Sequence, residues 1–439
     1  MFPDNERFRW FEAHARTVVA KCRREANAVP GFSEAPVPFF VPGGDDKYPS
    51  FWIRDFVMEC RSGFIPSDAM RTLLRLILRY QNGPRRCDLA NGLRVDPWAI
   101  ADHINLPGVG NAGFRKSFGM GAVFYPGSYS PTDDQGMGRF GMRPADDDLY
   151  ETVELARLTT ASLKDGDRGE FLRSTVGDVT IFDRLHEGMQ SMTVHPETGL
   201  CWNRPGDWAA ANFHDGLKPM GMIALTSCLR FRAAGTMIEF SRLTGDHGRE
   251  ELYASTADQI ASSIVRYCIL PSGWLMVGTG LDRQPDVWST SMAVYYGILE
   301  GEVREGACRA MLKAYCDGAV ARFGYLRHTP VFGDAVPGRR VWEDDSYHDS
   351  LPYGVYQNGG YWPQPLGYYA FALARVDRGA AAQIVCEFVD HTRERADAGA
   401  PFEWINPDLG SGKEEGKWYG PSATLPLEGF RRLSSESLT

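Results

Sequence analysis

Residues 48–80 read YPSFWIRDFVMECRSGFIPSDAMRTLLRLILRY, and this stretch contains the unit from which the fold can be predicted. The helical spacing of its apolar residues predicts one helix over 51–63 and a second over 67–81, with a very short link between them. Because so short a link makes two helices antiparallel neighbours, the stretch predicts a helical hairpin. A polar and aromatic motif, Tyr48 to Asp55, lies at the start of the first helix.

The same pattern continues along the chain, where apolar periodicity predicts twelve helices and few strands. The predicted ranges are 5–28, 51–63, 67–81, 147–163, 168–191, 218–245, 247–268, 286–299, 303–322, 361–376, 378–398 and 422–433. Links of about 1–4 residues alternate with links of about 20 to more than 60 residues, which predicts a helical barrel with its long loops at one end. No linker rich in Pro, Gly or Ser divides the chain, so we expect one domain over 1–433 and a disordered tail over 434–439.

The composition is that of a globular protein. Of 439 residues, 43% are hydrophobic and 23% are charged, which excludes large-scale disorder. The formal net charge of −9 and the lack of a basic run argue against nucleic acid as a partner. No apolar run is long enough to cross a membrane, and the polar start MFPDNERFRW lacks the apolar core of a signal peptide. We therefore expect a cytoplasmic protein, either a monomer or a homo-oligomer.

The sequence gives no indication of a metal, an organic cofactor or a nucleophilic Ser or Cys. Its nine cysteines include no CxxC pair, and its nine histidines show no HExxH or paired spacing. Neither GxSxG nor GxxxxGK[ST] is present. The one dense glycine run, Leu106–Gly113, has no predicted strand before it and is expected to be a loop. We therefore expect catalysis, if the protein is an enzyme, to depend on carboxylates.

Polar and aromatic motifs precede the even-numbered predicted helices. They are Tyr48–Asp55, Pro144–Asp148, Asp207–Pro219, Leu281–Trp288, Tyr356–Pro363 and Trp418–Ser422. If these helices form an inner ring, all six motifs meet at one mouth and build a pocket. The aromatic residues, 12% of the chain with 11 Trp, can then serve as stacking platforms. Sugar rings suit such a pocket, and two opposed carboxylates are what cleavage of a glycosidic bond requires.

With these motifs, the chain resembles the six-hairpin, (α/α)6-barrel glycosidases, the group that contains glucoamylases, trehalases, processing α-glucosidase I and glucosylglycerate hydrolases. The resemblance spans roughly residues 5–433 and is carried by Phe51–Asp55, Asp146–Tyr150, Asp207-Trp208, Tyr356–Pro363, Pro401–Asn406, Gly412, Trp418-Tyr419 and Ser422-Ala423. It implies an all-α (α/α)6 toroid with long loops at one mouth. It also implies a glycosidase that uses an Asp general acid and a Glu general base and inverts the anomeric configuration.

In this family the general acid lies between the fifth and sixth helices, and the base lies between the eleventh and twelfth. The resemblance therefore implies that Asp207 is the acid and Glu403 the base. The acid loop departs from the Gly-Trp-Asp pattern of the processing glucosidases, because this chain has Gly-Asp-Trp. Asp286 stays open as an alternative acid, although its place before a helix also suits an N-cap. The less constrained alternatives to Glu403 are Glu343, Glu414 and Glu415.

The remaining motif residues are candidates for binding the sugar. They are Trp52, Arg54, Asp55, Asp147, Trp208, Lys218, Arg283, Gln357, Asn358, Trp362, Trp404, Trp418 and Tyr419. Some have structural alternatives. Arg54 and Asp55 can form an ion pair, Asp147 can cap its helix, and the Tyr356–Pro363 segment can simply close a turn. His103, His214 and His348 carry no pairing signal and are assigned no role.

We expect a small oligosaccharide or glycoside to be cleaved from its non-reducing end, because the long loops near 82–146 and 323–360 can wall one side of the pocket. Arg54, Lys218 and Arg283 leave open an acidic aglycone such as glycerate. Sugar epimerases and isomerases use the same barrel and need His as acid and base. Polysaccharide lyases and unsaturated-uronyl hydrolases need a basic pocket or a Tyr/His pair, and a non-catalytic sugar-binding protein needs no opposed carboxylates. Asp207 and Glu403 carboxyl groups about 6.5–9.5 Å apart would favour an inverting hydrolase.

Overall fold

The computed structural model describes residues 5–29, 31–45, 47–48, 50–88, 94–108, 121–124, 147–203, 221–280, 283–331, 354–410 and 412–436. These residues form thirteen α-helices and fifteen short strands. Six of the helices make up an inner set. They are α2 (Ile53–Cys60), α4 (Asp148–Ala161), α7 (Ala224–Thr244), α9 (Val287–Tyr295), α11 (Leu366–Ala374) and α13 (Gly420–Glu436).

Each helix of the inner set packs against the next one along the chain, and α13 packs against α2. Most residues of the inner helices are buried, and every residue of α2 and of α9 is buried. A helix that is covered all round belongs to the interior of a domain. The six helices are therefore the core of the molecule, and they bring the residues at their ends into one neighbourhood.

Seven further helices cover this core. They are α1 (Asn5–Cys22), α3 (Ser67–Tyr80), α5 (Asp165–Arg173), α6 (Ile181–Ser191), α8 (His247–Tyr267), α10 (Gly301–Cys316) and α12 (Arg378–Glu394). Helix α8 packs along α7, and α12 packs along α11, as the short links predict. Gly245 ends α7 with a φ of 79°, and the Asp246 side chain accepts a hydrogen bond from the backbone N–H of Arg249 at the start of α8. No helix within the described ranges is both long and apolar enough to cross a bilayer.

The strands form small antiparallel sheets in the connections. β3 (Phe51–Trp52), β6 (His103–Asn105) and β7 (Gly121–Val123) make the one sheet of three strands among the described residues. The two-stranded pairs are β1 (Arg23–Ala26) with β2 (Val37–Phe40), β4 (Cys87–Asp88) with β5 (Arg94–Val95), β8 (Thr175–Val176) with β9 (Val179–Thr180), β10 (Trp202–Asn203) with β11 (Gly221–Met222), β12 (Ala321–Arg322) with β13 (Tyr325–Leu326), and β14 (Trp404–Asn406) with β15 (Lys413–Glu415). The expectation of few strands was wrong, because these ladders are two to four residues long and leave little periodicity in the sequence.

The structure also corrects the predicted helix over 168–191. This segment is two helices, α5 and α6, separated by the β8–β9 hairpin with Gly177 at a φ of 64° in its turn. The Thr180 side chain then caps α6 by accepting a hydrogen bond from the backbone N–H of Asp183. The glycine turn and the new cap end one helix and begin another.

Several helix boundaries differ from the prediction as well. The first helix ends at Cys22, where β1 begins, rather than at residue 28. The helix predicted from residue 361 begins at Leu366, because Trp362 forms a β-bridge with Leu326 and two prolines precede the helix. Helix α13 continues to Glu436, so residues 434–436 of the predicted disordered tail are helical.

Candidate active site

Two side-chain contacts join the first turns of three inner helices. The Arg54 guanidinium of α2 donates from Nη1 to Oδ1 of Asp147, which immediately precedes α4, at 2.9 Å. The Tyr419 hydroxyl, immediately before α13, donates to Oδ1 of Asp55 on α2 at 2.6 Å. Arg54 and Asp55, for which an ion pair with each other was the structural alternative, each contact another helix. Asp147 pairs with Arg54 and makes no side-chain capping hydrogen bond to α4.

Glu403 lies beside these contacts, immediately before β14, and its side chain is 2% exposed. Tyr48 Oη lies 2.7 Å from each of the two carboxylate oxygens, and Lys47 Nζ lies 2.9 Å from Oε2. The backbone N–H of Glu403 donates to the carbonyl oxygens of Glu415 and Gly416. A side chain at Gly416 would place a Cβ 2.6 Å from the Glu403 Cβ, so this position requires glycine. Backbone and side-chain contacts together fix the Glu403 carboxylate in one place.

Aromatic rings connect Glu403 with the start of α2. The Tyr48 ring packs edge-on against Tyr419 and Trp52, at centroid distances of 6.0 and 6.3 Å. Trp52 is half-buried, and its ring lies 4.4 Å from that of His103, its partner in the β3–β6 ladder. His103 is fully buried, and its Nδ1 lies 2.7 Å from Asp102 Oδ2. These rings and carboxylates are neighbours in space, and we refer to them together as the wall.

We call the charged residues of this wall the mouth cluster. Its members are Lys47, Arg54, Asp55, Asp102, Asp147, Asp148 and Glu403. Burial disfavours the charged form of Arg54, but the neighbouring carboxylates, Asp147 and Asp148 first, outweigh burial and hold its pKa well above the usual range. Burial raises the pKa of Asp55, although Arg54 and the Tyr419 hydroxyl oppose the change. Buried carboxylates with altered pKa values are typical of functional sites.

The described residues offer no metal-binding group of three or more His, Cys, Asp or Glu side chains. Within the mouth cluster, Asp147 pairs with Arg54 and Glu403 pairs with Lys47. Two carboxylates of this wall are thus held by cationic side chains of the chain itself.

The predicted residues near α9 and α11 are packed into the protein. The Asp286 carboxylate accepts a hydrogen bond from the backbone N–H of Ser289 at 2.8 Å and so caps α9. Trp362 is fully buried between the rings of His328 and Tyr356. A Cβ at Gly360 would lie 2.2 Å from the Tyr356 carbonyl oxygen, so the glycine permits a close approach of protein backbone.

The other predicted ligands have different surroundings. Gln357 and Asn358 are buried in the turn before α11, and Arg283 is exposed. Trp404 is buried, with Lys413 Nζ 5.2 Å from the centre of its ring. Trp418 packs against Gly44, with Lys21 Nζ 4.5 Å from its ring, whereas its neighbour Tyr419 reaches Asp55. The residues that the structure brings together are therefore Trp52, Arg54, Asp55, Asp147, Glu403 and Tyr419.

The predicted general acid lies outside the described residues. Asp207, Trp208 and Lys218 belong to the segment 204–220, which connects β10 to β11. Glu343, His214 and His348 also lie outside the described residues.

A narrow cavity lies between the inner helices, next to the mouth cluster. Each inner helix or its start contributes to its lining, through Met58, Asp147, Leu225, Trp288, Tyr368 and Leu425. At this cavity Arg61 donates to Glu151 at 2.9 Å and to the Tyr368 hydroxyl at 2.8 Å. We call the charged group around Arg61 the axial cluster. Its members are Arg61, Glu151, Glu154, Arg157, Arg232 and Glu428.

Four residues of the wall were not predicted as site residues. Tyr48 was named only as the first residue of its motif, without a role, and Lys47 directly precedes it. Their positions next to that motif are the signal that could have found them. Asp102 and His103 lie in a segment predicted as a long loop, and the three-residue strand β6 is too short to leave a pattern. Nothing in the sequence indicates that these two residues reach Trp52.

Comparisons with known proteins give a likeness in structure alone. No protein-family model matches the sequence, and no curated protein matches it. A GH63 mannosylglycerate hydrolase from Thermus thermophilus, solved in complex with glucose, aligns with a TM-score of 0.57 and 13% identity over 95% of this chain and 99% of its own. A rhamnosidase from Klebsiella oxytoca with rhamnose bound aligns with a TM-score of 0.56 and 14% identity over 98% of this chain.

The chain spans 64% of the length of the Klebsiella rhamnosidase. A GH78 family rhamnosidase of Bacillus sp. GL1 aligns over 99% of this chain and 35% of its own, with a TM-score of 0.54 and 12% identity. At these identities the likeness concerns the fold. It confirms that this chain is similar in fold to a mannosylglycerate hydrolase and to rhamnosidases.

Proposed function

We propose that this protein is a glycoside hydrolase and that Glu403 is its general base. The observation that carries the proposal is the Glu403 carboxylate, buried among Lys47 and Tyr48 and next to the Asp55–Tyr419 pair. The likeness in fold to a mannosylglycerate hydrolase and to rhamnosidases supports the same reaction class. The packing order of α2, α4, α7, α9, α11 and α13 supports a closed (α/α)6 barrel as the single domain of this enzyme.

The contacts of Glu403 suit a base that activates water. Donors such as an ammonium group and a phenol stabilise a carboxylate in its ionised form. A carboxylate that is ionised and fixed in place can accept a proton from a water molecule without first reorganising. Tyr48 approaches both carboxylate oxygens and so fixes the orientation of the Glu403 carboxylate.

The wall beside Glu403 suits the binding of a sugar ring. Trp52 offers an aromatic face, and Arg54, Asp55 and Asp147 offer charged groups to sugar hydroxyls. We propose that Asp207, in the segment between β10 and β11, is the general acid and that hydrolysis inverts the anomeric configuration. The proposed substrate is a small glycoside that is bound by its non-reducing end, and the proposed location of the enzyme is the cytoplasm. Nucleic acid plays no part in the proposed function.

A sugar epimerase or isomerase is a second candidate, because His103 and Asp102 form the kind of pair that such enzymes use for proton transfer. His103 Nδ1 lies 2.7 Å from Asp102 Oδ2. However, His103 is fully buried against Trp52, whereas a general base has to reach the substrate. The His103 ring is thus less accessible than the half-buried Trp52, so we favour hydrolysis.

The proposal is tested with a panel of aryl glycosides and natural small glycosides, including rhamnosides and mannosylglycerate. We expect the wild-type protein to hydrolyse at least one of them and the Glu403→Gln variant to lose about 10²–10⁴-fold in kcat. Glu414→Gln is the matched control, because Glu414 lies in the partner strand β15 and pairs with Arg395. A Glu403→Gln variant with wild-type turnover would remove Glu403 from the role of base.

The anomer that forms first, followed by NMR, tests inversion, and Asp207→Asn tests the acid. We expect the anomer opposite to that of the substrate and a loss of turnover in Asp207→Asn that is largest for substrates with poor leaving groups. Interconversion of free sugars without hydrolysis of any glycoside would replace the proposal by the epimerase alternative.

A further inference from the structure

A second buried charge lies away from the mouth cluster, at Arg230 on α7. Arg230 is 9% exposed, and its guanidinium lies beside the hydroxyl of Tyr150 on α4 and near the thiol of Cys201, immediately before β10. Its Nε and Nη1 atoms are buried and find no hydrogen-bond acceptor among the described residues. The side chain is therefore a buried cation with unused donors.

Three other buried arginines of the inner helices each have a carboxylate. Arg54 pairs with Asp147, and Arg61 and Arg232 both pair with Glu151. No carboxylate of the described residues lies within ion-pairing distance of Arg230. The Asp183 carboxylate forms an ion pair with the nearby Arg249 at 2.6 Å. Unlike these three arginines, Arg230 has no described carboxylate that compensates the burial of its charge.

The neighbours of Arg230 do not supply a negative charge. Burial raises the pKa of the Tyr150 hydroxyl well above its usual range, and burial also raises the pKa of the Cys201 thiol, although Arg230 opposes that change. Both groups are therefore neutral near pH 7. An arginine cannot shed its proton in a protein, and a buried charge needs a partner. Among the described residues nothing compensates this charge, and an anion bound from solution would do so.

The donors around Arg230 suit an anion. Tyr150 Oη and Cys201 Sγ are 3.3 Å apart, and either atom can be the donor. When the thiol donates to the tyrosine oxygen, the Tyr150 O–H is free to point elsewhere, together with the two N–H groups of Arg230. We propose that Arg230, Tyr150 and Cys201 bind a small monovalent anion of the size of chloride. One cation among neutral groups matches one negative charge, and burial favours a small ion.

The proposed anion would join three parts of the framework. Tyr150 lies on α4, one turn after Asp147, and Arg230 lies on α7. Cys201 is fixed to α7, because its backbone N–H donates to Ser227 Oγ and its carbonyl accepts from Ile223. The strand β10 follows directly and leads into residues 204–220. The anion would therefore stabilise the chain where this connection begins. The inference does not depend on the proposed function.

Thermal unfolding at constant ionic strength tests the site. Chloride or bromide replaces gluconate, a larger anion, and we expect the wild-type melting temperature to rise by about 2 °C or more and then to saturate. Arg230→Met should lose this rise and should be at least as stable as the wild type without chloride, because it removes an uncompensated charge. Arg242→Met is the control, since Arg242 is an exposed arginine with a carboxylate partner, and it should keep the wild-type response.

Two further measurements keep the test decisive if Arg230→Met does not fold. Tyr150→Phe removes one donor and should shift the midpoint of the chloride titration to higher concentration. A crystal soaked in bromide should show an anomalous peak at hydrogen-bonding distance from the Arg230 guanidinium. A response that depends only on ionic strength, an unchanged response in both variants, or a water molecule in place of the bromide peak would overturn the proposal.

Discussion

The two charged clusters of the inner helices are built differently. In the axial cluster, three arginines face three glutamates, and Arg61 pairs with both Glu151 and Glu428. In the mouth cluster, among the described residues, the carboxylates outnumber the cations. The carboxylates are Asp55, Asp102, Asp147, Asp148 and Glu403, and the cations are Lys47 and Arg54. The first cluster is balanced and the second is not.

This difference separates structure from function. A balanced buried network fixes the packing of the helices that share it, and removing one partner leaves a charge alone. An excess of buried carboxylates lowers stability, so a protein retains it where those groups perform chemistry. We therefore expect substitutions in the mouth cluster to change activity and those in the axial cluster to change stability.

The largest expected effect is that of Asp55→Asn on activity. Hydrogen bonds to sugar hydroxyls that strengthen in the transition state contribute several kcal/mol, so we expect kcat/KM to fall about 10³-fold. The free energy of unfolding should be unchanged or higher at neutral pH, because Asp55, with its raised pKa, is destabilised in its ionised form by burial. Steady-state kinetics and urea unfolding measure the two quantities.

Asp68→Asn is the control for this variant, since Asp68 is exposed in the first turn of α3. It should leave activity unchanged. A loss of activity in Asp55→Asn that is matched by a loss of stability would contradict the separation, because it would make Asp55 a structural residue like those of the axial cluster.

The next effect in size is that of Arg61→Met on stability. The Arg61 side chain is 2% exposed and holds Glu151 and the Tyr368 hydroxyl. Removing it takes from the buried Glu151 one of its two arginine partners and from Glu428 its ion-pair partner among the described residues. We therefore expect a loss of about 3–5 kcal/mol in the free energy of unfolding. Activity measured at a temperature where the variant is folded should stay close to the wild type.

The double variant Arg61→Met/Glu151→Gln sharpens this prediction. If the loss comes from an uncompensated carboxylate, removing that charge should recover part of the stability. Arg309→Met, in an exposed ion pair with Glu305, is the control and should cost less than about 1 kcal/mol. No recovery in the double variant would indicate that Arg61 acts through packing rather than charge.

The helical hairpins could be predicted because their signals are local. Gly245 and Asp246 end one helix and cap the next within two residues, and both roles are visible in the sequence. The β8–β9 hairpin was missed because the apolar spacing of α5 and α6 continues across a short interruption. Periodicity detects a buried face and is insensitive to a turn that preserves it.

The residues of the candidate site could be predicted from the sequence, but the contacts between them could not. Arg54, Asp55 and Tyr419 were found because each lies at a helix start. Their partners were not, since Arg54 and Asp147 are 93 residues apart and Lys47 and Glu403 are 356 apart. Tertiary packing chooses partners over such separations, and one sequence carries no record of that choice.

A third, smaller effect concerns Lys47, which compensates one carboxylate of the mouth cluster. Its ammonium lies 2.9 Å from Glu403 and is 34% exposed. Removing a cation this close makes a carboxylate easier to protonate, so in Lys47→Met we expect the low-pH limb of the kcat/KM profile to move up by about one pH unit. Lys47→Arg should restore the wild-type limb, and Lys313→Met, at an exposed site, should not move it. An unchanged limb in Lys47→Met would show that Lys47 only positions Glu403.

A last prediction concerns Glu59, which lies on α2 between the two clusters and belongs to neither. It is fully buried, and no described cation lies within ion-pairing distance of it. Burial first, and then Asp55, raise the pKa of Glu59 well above its usual range, with the Cys22 thiol and Arg24 opposing. A carboxyl with a raised pKa in the folded state contributes stability that is complete below its unfolded pKa and is lost as pH rises through its folded pKa.

Glu59→Gln has almost the same shape and cannot ionise, so its free energy of unfolding should equal that of the wild type near pH 4 and exceed it increasingly toward pH 9. Urea unfolding across this range measures the difference. Glu302→Gln, at an exposed position of α10, should give a curve parallel to the wild type. Parallel curves for Glu59→Gln as well would mean that Glu59 is ionised and compensated in the folded protein, and it would then have to be counted with the balanced charges of the axial cluster.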